Sequence, residues 1–141
     1  MPKVIAPDIS NFPDADPRLI GGRCGDCEAI AFPSQPRCPK CSGKNITQEL
    51  LPSQGTIAAW TTQGFHPGFG YKGTEDPKAW TPIGMGLVQL GDVIKVEGRL
   101  TESDPAKLKT GMAVELTFIP LYTDDDGDEV LTFAFQPSGK D

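Results

Sequence analysis

Cysteine is the residue type in this chain whose number and spacing specify a chemistry most clearly. The four cysteines, Cys24, Cys27, Cys38 and Cys41, form two Cys-x-x-Cys pairs separated by ten residues. Each pair lets two sulfurs converge from one tight turn, and two such turns supply four ligands to a tetrahedral metal ion. Four soft thiolates favour zinc, with iron as the alternative. We therefore predict a rubredoxin-like zinc ribbon that holds one zinc ion per chain.

Two other uses of these cysteines agree less well with the sequence. Paired disulfides need an oxidising compartment, and the first ten residues contain no hydrophobic signal core. A thioredoxin-type redox motif needs a strand followed by a helix, which a ten-residue spacer containing Pro33 and Pro36 does not provide. An iron centre for electron transfer uses the same four ligands and stays open as an alternative to zinc.

Nucleophilic catalysis has few candidate residues here. If all four cysteines bind metal, no thiol nucleophile remains for acyl transfer, and His66 is the only histidine in the chain. A Cys/His or Ser/His/Asp arrangement would therefore depend on one base on a loop. We expect this chain not to be an enzyme on its own, and we assign it no catalytic residue.

The segment 64–82 combines aromatic residues with glycines and is longer than a typical connection between strands. Such a loop could face a substrate or a partner protein, pack its own aromatic residues as an Ω-loop, or stack nucleic-acid bases. We favour contact with a ligand or a partner. The candidate residues are Phe65, His66, Phe69, Tyr71, Lys72 and Trp80.

The acidic run at 124–128 invites comparison with a calcium loop. An EF-hand places acidic groups at its first, third and fifth positions, followed by glycine. Taking Gly127 as that glycine puts Tyr122 at the first position, and no flanking helices are expected. We therefore predict a solvated acidic hairpin, whose charges also discourage pairing of the sheet edge with other chains.

Composition excludes several classes of protein. The 141 residues include 16 glycines and 14 prolines, which argues against a coiled coil or a helical bundle. No apolar run is long enough to span a bilayer, so we expect a soluble, cytoplasmic protein that does not bind membranes. The net charge of −6 repels phosphate backbones, so we expect no nucleic-acid partner. A single-stranded nucleic-acid or protein-interaction module built from the same ribbon and barrel is the alternative interpretation.

The order of predicted elements indicates the fold class. Residues 1–18 carry four prolines and suggest an extended arm, 19–53 the zinc ribbon, and 54–141 a barrel. Within the barrel, alternating apolar residues predict five strands, with a short helix after Asp104-Pro105 between the third and fourth. Five strands with one helix at that point are typical of an OB-fold. The predicted strands are 56–63, 83–90, 93–100, 113–121 and 130–136.

Segment 19–41, which reads LIGGRCGDCEAIAFPSQPRCPKC, resembles a family of zinc-ribbon and OB-fold accessory proteins that act with acyl-CoA enzymes. The similarity extends to Gly98-Arg99-Leu100 and to Phe135-Gln136-Pro137 in the barrel. The combination covers roughly residues 17–137 and is far more specific than either Cys-x-x-Cys pair. The size of the chain and its FHPGFGYKG loop resemble most the small zinc-finger subunits of 2-benzoylsuccinyl-CoA thiolases of anaerobic toluene degradation.

That resemblance implies a role and a partner. Such proteins assemble with thiolase-fold catalytic subunits as hetero-oligomers, so the catalytic cysteine and histidine would belong to the partner. The partner would also hold the acyl group and coenzyme A, and this chain would help to shape or shield that site. Two departures stand out: Glu28 occupies a position where the family usually has glycine, and the loop 64–82 is long for the family.

Overall fold

The fold is that of a computed structural model, which describes residues 3–64 and 82–138. These residues are mainly β-structure. The strands are β1 (Lys3–Val4), β2 (Ile20–Cys24), β3 (Ile30–Ala31), β4 (Ile46–Leu50), β5 (Gln54–Gln63), β6 (Ile83–Leu90), β7 (Ile94–Leu100), β8 (Ala113–Thr123) and β9 (Glu129–Pro137). Among the described residues, no helix has the length and apolar character needed to cross a bilayer.

Strands β5 to β9 form a closed five-stranded barrel. Their order is β9-β7-β6-β5-β8, and β8 pairs with β9 to close the sheet. The β7–β9 pair is parallel, whereas the other pairs of the barrel are antiparallel. This is the Greek-key order of an OB-fold. The predicted fold class, a zinc ribbon followed by an OB-fold barrel, is confirmed.

Alternation on β6 and β7 separates the interior of the barrel from its outer face. Val88 and Leu90 of β6 are buried, as are Val96 and Leu100 of β7. Gly86 is also buried, and a Cβ there would lie 3.0 Å from the side chain of Leu100. The absence of a side chain at Gly86 therefore leaves room for the side chain of Leu100 in the interior of the barrel.

Strand β5 does not alternate strictly along its length. Strict alternation would place Thr56, Ala58 and Trp60 on one face, but the pairing with β6 shifts between Ile57 and Ala59. A bulge of this kind adds one residue and reverses the direction of the side chains that follow it. Ile57 before the bulge is buried, and Trp60 after it packs against the same core.

The helix predicted between β7 and β8 does not form, and residues 105–107 make a single hydrogen-bonded turn instead. Asp104 caps it as expected, because its carboxylate accepts the N–H of Ala106 at 2.9 Å and its carbonyl accepts the N–H of Lys107 at 2.9 Å. The turn does not extend, because Leu108 is drawn into the core and the N–H of Gly111 bonds to the carbonyl of Ile57. Within the described residues, the helical segment is the 3-10 helix Pro7–Ile9.

The N-terminal arm lies on the chain's own barrel. Strand β1 pairs in parallel with β9 at Val130 and Leu131. Strand β7 pairs with a later part of β9, at Ala134 and Phe135. Further along, the ring of Phe12 packs on that of Phe118 with centroids 5.1 Å apart. The arm is only partly extended, because it contains the 3-10 helix Pro7–Ile9 and the N–H of Asn11 donates to the carbonyl of Arg18 at 3.1 Å.

The zinc ribbon is a three-stranded antiparallel sheet in the order β3-β2-β4. Leu19 before β2 and Leu51 after β4 are fully buried and belong to the same core as the barrel residues. The ring of Phe32 meets that of Phe133 edge-on at 5.9 Å. The ribbon is thus fixed to the barrel by shared apolar packing as well as by the chain connection.

Candidate metal centre

The ribbon brings the four cysteine sulfurs into one cluster. Each sulfur lies within 4.8 Å of every other, with 3.6 Å between the Sγ atoms of Cys24 and Cys41 and 3.5 Å between those of Cys27 and Cys38. Both short distances join one Cys-x-x-Cys turn to the other. Cys24 is the last residue of β2 and pairs with Ile46 of β4, so the ribbon sheet fixes the position of the first turn.

The two cysteine turns have the same backbone hydrogen bonds. The carbonyl of Cys24 accepts the N–H of Glu28 at 2.9 Å, and the carbonyl of Cys38 accepts the N–H of Ser42 at 2.8 Å. In addition, the sulfurs of Cys24 and Cys38 each accept a backbone N–H from two residues further on, both at 3.4 Å. The turns thus present their sulfurs in equivalent ways from opposite sides of the cluster.

Glu28 stands where the family usually has glycine, and it adopts the backbone conformation that glycine would have there. It has φ of 65°, and Ser42, at the matching position of the second turn, has φ of 64°. Both residues therefore adopt the left-handed conformation that glycine favours. The first turn has the same form as the second despite the glutamate.

The electrostatics of the cluster call for a cation. The backbone N–H groups of Cys41 and Lys40 lower the pKa of Cys38 to about 7. At Cys41 the N–H of Gly43 acts in the same direction, but the neighbouring sulfurs of Cys27 and Cys24 raise the pKa to about 12. Four thiolates this close repel one another, and a bound divalent ion removes the repulsion. The donor set of four sulfurs, partly satisfied by N–H groups, fits a structural zinc ion.

The predicted loop residues lie outside the described part of the chain. These are Phe65, His66, Phe69, Tyr71, Lys72 and Trp80, all between residues 65 and 81. Their role as a surface that faces substrate or partner stays a prediction.

The acidic run forms the tight turn between β8 and β9. The carboxylate of Asp124 accepts the N–H groups of Asp126 at 3.1 Å and Asp128 at 2.9 Å. The ammonium of Lys3 in the arm pairs with Asp124 and lies 3.8 Å from the carboxylate of Asp128. Lys3 also acts, together with the N–H of Asp128, to hold the pKa of Asp124 below its ordinary value. The turn therefore anchors the arm.

The outer face of the barrel carries a groove that the sequence interpretation missed. Ile83, Met85 and Leu87 of β6 alternate with buried residues and are half-buried. Met85 and Leu87 line a groove of about 330 Å³ that also includes Glu97 of β7. The signal was present in the sequence, because both alternating sets of residues in 83–90 are largely apolar. A strand with one face in solvent would alternate apolar with polar residues.

Comparison with known proteins places the chain in a family. Residues 14–47 match the rubredoxin-like zinc ribbon domain of ChsH2, and residues 48–118 match its C-terminal OB-fold domain. A "DUF35 domain-containing scaffold protein" of Pyrococcus furiosus is 33% identical over 122 residues, which cover 85% of this chain and 83% of the relative. A protein of the same name from Methanocaldococcus jannaschii is 28% identical, over 84% of this chain and 79% of the relative.

A solved structure shares the fold. A chain of the "Ltp2-ChsH2(DUF35) aldolase" superposes with a TM-score of 0.62 at 23% sequence identity, covering 86% of this chain and 85% of the other. The ribbon, the sulfur cluster and the barrel define this chain as a zinc-ribbon OB-fold protein. It belongs to the ChsH2/DUF35 family.

Proposed function

We propose that this chain is a non-catalytic, zinc-binding subunit of a thiolase-type acyl-CoA complex. It docks on a thiolase-fold catalytic chain and helps to shape or shield the acyl-CoA site. The observation that carries this proposal is the placement of all four cysteines, the only thiols of the chain, in one metal-binding cluster. Because these sulfurs serve the metal, the nucleophile for acyl transfer must come from a partner.

The family supports a role beside an enzyme. The two relatives described above are named scaffold proteins, and the structurally similar chain belongs to an aldolase whose name joins ChsH2 to Ltp2. Both names are compatible with a subunit that positions or completes a catalytic chain. Zinc then acts by holding the ribbon together, since four protein ligands leave no open coordination position for substrate.

The outer face of the barrel favours a protein partner over nucleic acid. Base stacking needs aromatic side chains on an OB-fold face, together with positive charge. The described strip on β6 instead presents Ile83, Met85 and Leu87, and the chain has a net charge of −6. Methionine and a depletion of charge are typical of the centre of protein interfaces.

The loop 64–82 is the segment we assign to the acyl-CoA site. Its aromatic residues and glycines can cover an apolar acyl group and exclude water from the thioester. Its similarity to the small subunits of 2-benzoylsuccinyl-CoA thiolases makes that thioester, an intermediate of anaerobic toluene degradation, the first substrate to test. Within this proposal, coenzyme A is bound by the complex and not by this chain alone.

The test is to co-express this chain with the thiolase-fold chain that co-purifies with it and to measure coenzyme A-dependent cleavage of the acyl-CoA. A matched variant replaces residues 65–80 by a short glycine-serine linker. We expect the variant to remain in the complex with lower turnover. Full activity of the catalytic chain without this subunit would contradict the proposed function, and unchanged turnover with the linker would contradict the role of the loop.

A further inference from the structure

The four cysteines of the metal cluster are not equally protected from solvent. Cys24 and Cys38 are 1% and 3% exposed, and Cys27 is half-buried. Cys41, at the end of the second turn, is exposed. Zinc-bound thiolates remain nucleophiles, and their oxidation follows thiolate character and access to the oxidant. A peroxide molecule can therefore reach one sulfur of this cluster more readily than the other three.

A second sulfur lies ready to react with the oxidised one. The Sγ atom of Cys24 is 3.6 Å from that of Cys41, and it belongs to the other turn of the ribbon. Cys27 and Cys38 form the remaining close pair at 3.5 Å. Both of these close pairs cross between the two turns, and of the two only the Cys24–Cys41 pair contains an exposed cysteine.

We propose that Cys41 is a peroxide-sensitive modification site, and that its oxidation joins it to Cys24 and releases the zinc ion. The Cys41 thiolate attacks one oxygen of hydrogen peroxide, the O–O bond breaks, and the departing hydroxide takes a proton to become water. The Cys24 thiolate then attacks the sulfenic sulfur of Cys41, and the second hydroxide leaves as water after taking a proton. Two electrons pass from the two sulfurs to the peroxide.

Zinc leaves because half of its ligands are lost. A disulfide binds the ion weakly, and the two remaining cysteines take up protons as the metal departs. In balance, the zinc tetrathiolate, one hydrogen peroxide and four protons give one disulfide, two thiols, one zinc ion and two waters. Because zinc holds the ribbon turns together, the reaction converts an oxidant signal into loss of ribbon structure. A thiol reductant with zinc reverses it.

The inference rests on the zinc occupancy that the proposed function includes, but not on the thiolase partner. The experiment treats the zinc-loaded, full-length chain with less than one equivalent of hydrogen peroxide. Zinc release is followed with a chromophoric chelator, and the disulfide is mapped after blocking free thiols. Trypsin and Asp-N together cut after Arg23, Arg37 and Lys40 and before Asp26, so each cysteine falls on its own peptide.

The matched variants are Cys41→His and Cys38→His. Either one leaves a Cys3His donor set, which also binds structural zinc. We expect Cys41→His to slow peroxide-driven zinc release by about tenfold or more, because imidazole does not form a sulfenic acid. Cys38→His keeps the exposed thiolate and is expected to release zinc at about the wild-type rate.

The first disulfide expected in the wild-type chain joins Cys24 to Cys41. A first disulfide within either Cys-x-x-Cys turn, or between Cys27 and Cys38, would overturn the proposal, as would equal peroxide sensitivity of Cys41→His and the wild type. If Cys41→His holds no zinc, the disulfide map of the wild type decides alone. Intact mass measured before peroxide treatment distinguishes failure of this proposal from failure of the proposed function. A chain that holds no zinc contradicts both proposals. A zinc-bound chain in which peroxide does not oxidise Cys41 contradicts only the proposal about Cys41.

Discussion

At the scale of single residues, the sulfurs of Cys24 and Cys38 each accept a hydrogen bond from a backbone N–H two residues further along. At Cys27 and Cys41 the backbone N–H groups of Ala29 and Gly43 act to lower the pKa of the thiol. Such bonds favour the thiolate form, which is the form that binds a metal ion. The neighbouring sulfurs oppose this effect and raise the pKa of Cys41 to about 12, so a bound cation is still needed to hold all four cysteines as thiolates.

Substitution of one ligand tests the link between metal and ribbon. Cys38→Ser removes a buried thiolate, and a neutral hydroxyl does not replace it as a zinc ligand. Because apparent zinc-binding free energies of such ribbons are about 10–16 kcal/mol, we expect the variant to lose zinc, ribbon structure and assembly together. Zinc content and amide NMR signals of 20–50 check this.

The control for that substitution is Lys40→Gln, which lies in the same turn and leaves all four ligands in place. It is expected to bind zinc like the wild type. A Cys38→Ser chain that is folded, assembled and free of zinc would contradict the coupling.

Gly98 tests the packing inside the barrel. A Cβ at this position would lie 2.9 Å from the ring of Phe133 and 3.0 Å from that of Phe135, so the two rings would have to move. We expect Gly98→Ala to lower the free energy of unfolding by about 1–3 kcal/mol, the usual cost of overpacking. Denaturant unfolding measures the loss.

The neighbouring residue on the same strand supplies a comparison for Gly98. Glu97 is exposed on the outer face of β7, so Glu97→Ala should change stability by no more than about 0.5 kcal/mol. Equal effects of the two substitutions would mean that the rings do not depend on the space at Gly98.

At the scale of elements, strand β1 of the arm is held to the barrel by backbone pairing and by the ion pairing of Lys3. Beside the two paired residues of β1, the N–H of Ile5 donates to the carbonyl of Leu131 at 2.8 Å, and Lys3 pairs with Asp124. The pairing lowers the pKa of Asp124 and raises that of Lys3. An exposed ion pair of this kind adds little to global stability, so its effect belongs to the local opening of the arm.

The sign of each pKa shift fixes the pH range in which the arm is held. The depressed pKa of Asp124 means that its contribution is present above the unfolded value of about 3.9 and is lost as pH falls through the folded value. The raised pKa of Lys3 means that its contribution is present below about 10.4 and is lost as pH rises through the folded value. The pair therefore acts throughout neutral pH.

Replacement of Lys3 should loosen the arm without unfolding the barrel. We expect Lys3→Gln to speed hydrogen exchange of the Ile5 amide at neutral pH, and Lys3→Arg to restore protection. The wild type should approach the Lys3→Gln rate as pH falls through the folded pKa of Asp124, and again as pH rises through the folded pKa of Lys3, after correction for intrinsic exchange. Equal protection of Ile5 in the wild type and in Lys3→Gln at neutral pH would show that the strand pairing alone holds the arm.

Element prediction from the sequence succeeded where one residue pattern decides the outcome. The strands β6 and β7 follow from alternation, and the turn at Asp126-Gly127 follows from its residue types. The bulge after Ile57 and the failure of the turn at Asp104 to become a helix depend on contacts with distant strands. No local pattern of residues carries that information.

At the scale of the whole molecule, the order of elements favoured the OB-fold over an SH3-like barrel or a plain meander, which have similar periodicity, and the observed strand order is that of the OB-fold. The cysteine spacing was sufficient to predict a single sulfur cluster. Two features of the assembly could not be predicted in this way. The arm folds back on its own barrel, and Phe32 of the ribbon packs on Phe133 of the barrel. Both depend on how separate units meet in space.

The central claim is that this protein works as the zinc-binding subunit of a thiolase-fold catalytic chain. Native mass spectrometry of the chain, tagged and purified gently from its own host, tests that claim most directly. Our account predicts a complex with a larger thiolase-fold chain and one zinc ion for each copy of this subunit. A lone zinc-bound chain, or a chain that carries nucleic acid or iron, would contradict it.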